Sequence, residues 1–144
     1  MSQRLLEKLE QIISQVIQAD FKVNPQSFTV KEVLGHLLDS AINNHQRLVP
    51  AKPGEMVCFP EYEPDRFVQQ AFYQNYDFRA LSRLVLEYNR LLSHITENFD
   101  DSILKPEVLI SNQGLFNIQF LIEDYDRHFE VHLGQIERII RAAA

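Results

Sequence analysis

His128 and His132 stand four residues apart in the segment 124–136, DYDRHFEVHLGQI. At about 100° per residue of helix, that spacing puts both imidazoles on one face, one turn apart. Leu121, Tyr125, Ile136 and Ile139 neighbour that face, so both rings are expected to look inward. Two inward histidines are either half of a metal site or a pair of core histidines held by other partners. The spacing alone does not choose between them.

A metal site needs a third leg. His36 is the other histidine at the edge of a core-facing stripe, whereas His45 lies about half a turn from it. His94 falls about 120° from the middle of its own helix's apolar stripe and is expected in solvent. If the helices carrying His36 and His128 are neighbours, three imidazoles can converge at the ligand distances of about 2.0–2.1 Å usual for zinc. Three protein ligands leave positions open for water or substrate, and a divalent ion there lowers the pKa of a water or a thiol. Two common metal classes are excluded. The zinc-protease pattern HExxH is absent because Phe129 stands where its Glu would be. Di-iron bundles need Glu-x-x-His motifs, and Val33, Tyr125 and Phe129 occupy the positions three residues before the histidines.

Beside His36 runs a polar stripe, with Ser40, Asn43 and Arg47 within about 40° of it and Asp39 on its flank. Such a stripe either faces water or lines a cavity. Arg47 could clamp a carboxylate or phosphate of a substrate through its planar guanidinium. Asp39, Asn43 and Asp124, the last one turn before His128, could orient a ligand histidine or a nucleophile by hydrogen bonds. Each of these four residues is more readily read as an ordinary solvated or structural polar group.

The elements that must position these groups are helices. Residues 3–20 alternate apolar residues at three- and four-residue steps, the pattern of an amphipathic packing helix. Pro25 turns the chain, and Thr29-Val30-Lys31-Glu32 matches a capping box opening a second helix that runs to about Leu48. The 49–77 connection is irregular and aromatic, with a short helix expected at Pro64. It reads either as a lid or pocket wall or as a hydrophobic plug. Asp77 is a good N-cap for a third helix, and a loop follows over residues 99–116, with a short extended piece at Val108–Ile110. A fourth helix spans about Asn117 to Arg141. The fold class expected is all-α: a four-helix bundle filling residues 1–144 as one domain.

Composition narrows the partners. The chain has 14 basic against 20 acidic residues, a net charge of −6, and no Lys/Arg cluster to meet a phosphate backbone. Nucleic acid and anionic membrane surfaces are therefore not expected. No run approaches the 18 or so apolar residues of a membrane span, the N-terminus lacks signal-peptide features, and Cys58 is a lone cysteine. A reducing cytoplasm fits best. Cys58, with no basic neighbour closer than Lys52, is expected to be an unreactive small apolar residue.

The segment TVKEVLGHLLDSAINNHQR, with its E-x-x-x-H-x-x-D-S core and later Arg, resembles the second helix of the DinB-like (YfiT-like) superfamily. DYDRHFEVHLGQI resembles that family's H-x-x-x-H helix, and the intervening FPEYEPDRF and long helix are in keeping, so the likeness covers residues 1–141. The resemblance implies a bundle with an up-down-down-up course and a long crossover between the second and third helices. It also implies a divalent metal on His36, His128 and His132, and frequent homodimers. Family members include bacillithiol transferases and mycothiol-dependent maleylpyruvate isomerase. The metal expected is zinc or nickel, with iron, manganese and copper also compatible. The expected function is S-transfer from a low-molecular-weight thiol to a small-molecule electrophile, or metal-assisted hydrolysis. The alternative is a non-catalytic metal-binding bundle serving as a stress-response or interaction module.

Overall fold

A computed structural model describes residues 2–144 of the chain. Four long helices dominate it: α1 (Gln3–Ser14), α2 (Val30–Leu48), α4 (Phe78–Glu97) and α6 (Ile118–Ala143). Two short helices, α3 (Pro64–Gln70) and α5 (Asp101–Leu104), and three short strands, β1 (Val57–Phe59), β2 (Glu107–Ile110) and β3 (Gly114–Asn117), fill the connections. Among the described residues, no helix is long and apolar enough to cross a membrane.

The helix starts lie where capping chemistry puts them. Thr29 and Glu32 form the reciprocal capping box, with Glu32 N–H donating to Thr29 Oγ1 at 3.2 Å and Thr29 N–H to Glu32 Oε2 at 2.8 Å. Asp77 accepts from Ala80 N–H at 2.8 Å and Asn117 from Phe120 N–H at 2.7 Å. Helix α1 is shorter than its apolar spacing predicts. It ends at Ser14, and Ile17 is 94% exposed, because the chain must leave the helix axis to cross to α2.

Around the bundle the order is α1, α4, α2, α6, so α2 has α4 on one side and α6 on the other. Ion pairs Arg4–Glu130 and Lys8–Glu137 advance together along α1 and α6, which therefore run parallel. His36 meets His128 and His132, while Ser40, Asn44 and Arg47 meet Leu121 and Asp124, so α2 and α6 are antiparallel. Gln74, just before α4, bonds Thr29, and Tyr88 within α4 lies against His45, so α2 and α4 run parallel. The course is up-down-down-up. Two consecutive parallel helices demand a connection that returns along the whole length of α2, about 28 Å at 1.5 Å per residue, and residues 49–77 make that return.

The main core lies between the four long helices, with Leu9, Leu34, Leu37, Leu81, Phe129 and Leu133 at or near zero exposure. A second apolar cluster, including Leu48, Val108, Ile110 and Leu121, sits under the small sheet. In that sheet β1 pairs parallel with β2, Val57 opposite Val108, and β2 pairs antiparallel with β3, Ile110 opposite Gly114. The hairpin between β2 and β3 turns through Asn112 and Gly114, both at positive φ, a region open to Asn and Gly. Sequence spacing showed only the piece at Val108–Ile110.

The aromatic connection is neither a full lid nor a plug. Phe67, Phe72 and Tyr76 are 43–69% exposed, Phe59 packs on the second apolar cluster, Tyr62 forms part of the cavity wall and Tyr73 reaches Asp39. Cys58 is exposed on β1.

Candidate metal centre

His36 is buried on α2, and His128 and His132 are half-buried one turn apart on α6. Because α2 and α6 are antiparallel neighbours, the three rings meet. Their Nε2 atoms form a nearly equilateral triangle: 3.0 Å from His36 to His128, 3.1 Å from His36 to His132 and 3.1 Å from His128 to His132. Two nitrogens held 2.0–2.1 Å from one ion at angles between octahedral and tetrahedral lie about 2.8–3.4 Å apart. The observed edges fall inside that range.

Protonation supports the same reading. Burial holds His36 down to about 4 from its ordinary 6.5, with smaller contributions from His132 and His128. Burial and then His132 lower His128 to about 4 as well, against an opposing pull from Asp124. Both rings are neutral at pH 7. His132 Nδ1 lies 2.8 Å from Gln135 Oε1, and an amide oxygen only accepts, so Nδ1 carries the proton. The lone pair of His132 Nε2 then points into the triangle, as a metal ligand requires. Nδ1 of His36 and Nδ1 of His128 are buried without a hydrogen bond. The donor set fits a divalent ion. Among the described residues this is the group of His, Cys, Asp and Glu placed to hold one.

A cavity of about 150 Å³ opens beside His128 along the α2–α6 seam. Ser40, Asn44 and Arg47 line it from α2, and Leu121, Asp124 and Tyr125 from α6. Tyr62 comes from the connection, and Ile110, Gln113 and Phe116 from the hairpin. Burial lowers the pKa of Arg47 and raises that of Tyr62, and each of the two partly offsets the shift of the other.

The remaining sequence-derived candidates divide. Arg47 is half-buried in the cavity wall, and Asp124 lines the cavity while pairing with Arg127 at 3.3 Å. Asp39 is buried; its Oδ1 accepts from Tyr73 Oη at 2.6 Å, and its Oδ2 has no partner. Burial raises its pKa, while the Tyr73 bond lowers it. Asn43 turns its amide back on its own helix, donating to the Asp39 carbonyl at 2.8 Å. His45 lies edge-on to Tyr88, and His94 is exposed, both away from the triangle.

Three contributors were not singled out from sequence. Gln135 had a signal, since its place three residues after His132 puts it within reach on the same helix. Tyr62 and Tyr73 had none beyond the aromatic richness of the connection. Tyr73 reaches Asp39 because Gly35 leaves room for it: a Cβ on Gly35 would lie 2.0 Å from the Tyr73 ring.

No protein-family model matches the chain, and no curated protein matches it. Among solved structures it resembles YfiT from Bacillus subtilis, described as a probable metal-dependent hydrolase with an unusual four-helix bundle topology. The match has a TM-score of 0.85 at 18% identity and covers 96% of this chain and 81% of that one. The chain has the YfiT-like (DinB-like) fold, as its two histidine segments imply.

Proposed function

We propose that this protein is a divalent-metal-dependent enzyme acting on small molecules, with the Nε2 atoms of His36, His128 and His132 holding the ion. The observation that carries the reading is the triangle of imidazole Nε2 atoms, 3.0–3.1 Å on a side, opening beside a cavity. When bound, a divalent ion supplies Lewis acidity that brings the pKa of a thiol or water nucleophile toward neutrality.

The chain's own groups do the rest. Gln135 fixes the tautomer and the angle of His132. Burial keeps His36 and His128 unprotonated and available at neutral pH. Ile110, Phe116 and Leu121 make part of the cavity wall apolar, and Arg47 supplies a positive charge for orienting a substrate. The reaction we favour is S-transfer from a low-molecular-weight thiol to an electrophile. Hydrolysis uses the same centre with water, and the description of YfiT speaks for it. An all-imidazole donor set suits zinc or nickel first, then iron, manganese or copper.

The test is metal analysis of protein purified without a His-tag, followed by paired assays. We expect about one divalent ion per chain, lost in His36→Ala and His132→Ala. Turnover of a thiol with a generic electrophile would support transfer, and turnover of esters or amides alone would move the assignment to hydrolysis. A retained ion with turnover of neither would mark a non-catalytic metal-binding bundle. Protein that carries no ion and takes none up on titration would overturn the reading altogether.

A further inference from the structure

The cavity on the α2–α6 seam holds a positive charge that no carboxylate of the chain neutralises. Arg47 enters it from α2, three turns beyond His36, half-buried and with no hydrogen bond or ion pair to another described residue. A guanidinium stays charged and carries five donors in a rigid fork, so its burial without a partner is unfavourable. Long cationic side chains ordinarily avoid this by carrying the head group out to water. The other groups around Arg47 do not satisfy it. Ser40, Asn44, Tyr62 and Tyr125 are neutral, and Asn44 donates to its own helix at Ser40 O, 2.9 Å away. Asp124, the one carboxylate on the lining, is engaged with Arg127.

We propose that this cavity is a carboxylate subsite, in which Arg47 takes the carboxylate of a small organic acid while Ile110, Phe116 and Leu121 receive its apolar body. The proposal builds on the metal-dependent reading of the same site and gives that enzyme's substrate a class. Charge selects carboxylate over phosphate. One guanidinium balances one negative charge, and with Asp124 already balanced by Arg127 a carboxylate leaves the cavity neutral whereas a phosphate dianion leaves it net negative. Planar pairing of a guanidinium with a carboxylate is bidentate, which also fixes the direction of the substrate's body. Size selects a small group. The volume equals about five waters at about 30 Å³ each, enough for a group of benzoate's size, with any larger remainder leaving through the opening.

The experiment titrates the full-length protein with benzoate, with its neutral isostere benzamide and with inorganic phosphate, by calorimetry and by amide shift changes at Ser40 and Asn44. Benzoate is expected to bind at least about tenfold more tightly than benzamide or phosphate, and Arg47→Gln to remove that preference. Arg47→Lys keeps the charge without the fork and should retain only part of it. Because an ion could itself take a carboxylate, the titration is repeated in metal-free His132→Ala protein, where the dependence on Arg47 should persist. Benzoate binding that is absent, unchanged by Arg47→Gln in folded protein, or weaker than phosphate binding overturns the proposal. Protein that takes up no ion yet binds benzoate through Arg47 removes the metal-dependent reading and leaves the subsite standing. Protein that carries its ion and ignores Arg47→Gln does the reverse.

Discussion

His132 Nδ1 donates to Gln135 Oε1 across 2.8 Å, one helical turn away on the same face of α6. It is the one hydrogen bond among the described residues that orients a ring of the triangle from behind. Replacing Gln135 with Leu keeps the volume and removes the acceptor. The expected result is a divalent-ion affinity lower by about 10–100-fold, with the melting temperature of the metal-free protein nearly unchanged. An affinity equal to wild type in a competition titration would show that the bond is incidental.

Gly35 decides whether Tyr73 can lie on α2. A helical Gly→Ala change normally stabilises by about 0.5–1 kcal/mol. Here the new methyl would meet the Tyr73 ring at 2.0 Å, far inside contact distance. Gly35→Ala should therefore destabilise, by about 1–3 kcal/mol for an overpacked site, and free Asp39 Oδ1 from its donor. Chemical denaturation of Gly35→Ala, Tyr73→Ala and the double variant checks this. The double variant should be more stable than the sum of the two single losses allows.

Acid should weaken the metal-free protein through two of its histidines. His36 and His128 have folded pKa values lowered to about 4, against 6.5 when unfolded. Above pH 6.5 both states are neutral and the pair leaves stability unchanged. As pH falls toward 4 the unfolded chain takes up protons first, so stability drops across that window and levels off below it. Thermal midpoints between pH 7.5 and 4.5 should fall more steeply in wild type than in the His36→Asn, His128→Asn double variant. Parallel slopes would contradict the assignment.

Removing the ion should cost stability in proportion to its binding. An ion at 100 times its Kd contributes about 2.7 kcal/mol by linkage. Chelation should lower the melting temperature of native protein, readdition should restore it, and His132→Ala should respond to neither. A chelator effect of equal size in His132→Ala would place the ion elsewhere.

Much of this was written locally in the chain. Thr29, Asp77 and Asn117 fix three helix starts through bonds spanning three residues, so a reader of the sequence meets the whole interaction at once. Helical phase likewise separated His36, His128 and His132 from His45 and His94. What stayed hidden depends on distant partners. Strand β1 is three residues long and pairs with β2 some fifty positions away, too short for any alternation to show. The end of α1 at Ser14 is set by the crossing to α2, with no Gly or Pro to announce it. Asn43 chose a rotamer facing its own helix, and Tyr73 found Asp39 only because the connection folds back over Gly35.

The pairing of α2 with α6 also sets a timetable. His36 and His128 are 92 residues apart in sequence, with the long return connection and all of α4 between them. At about 5–20 residues per second of synthesis, roughly 5–18 seconds separate the two histidines as they leave the ribosome. Between those two moments an emerging chain offers only one of the triangle's three imidazoles, and it gains a grip on an ion only once α6 is out.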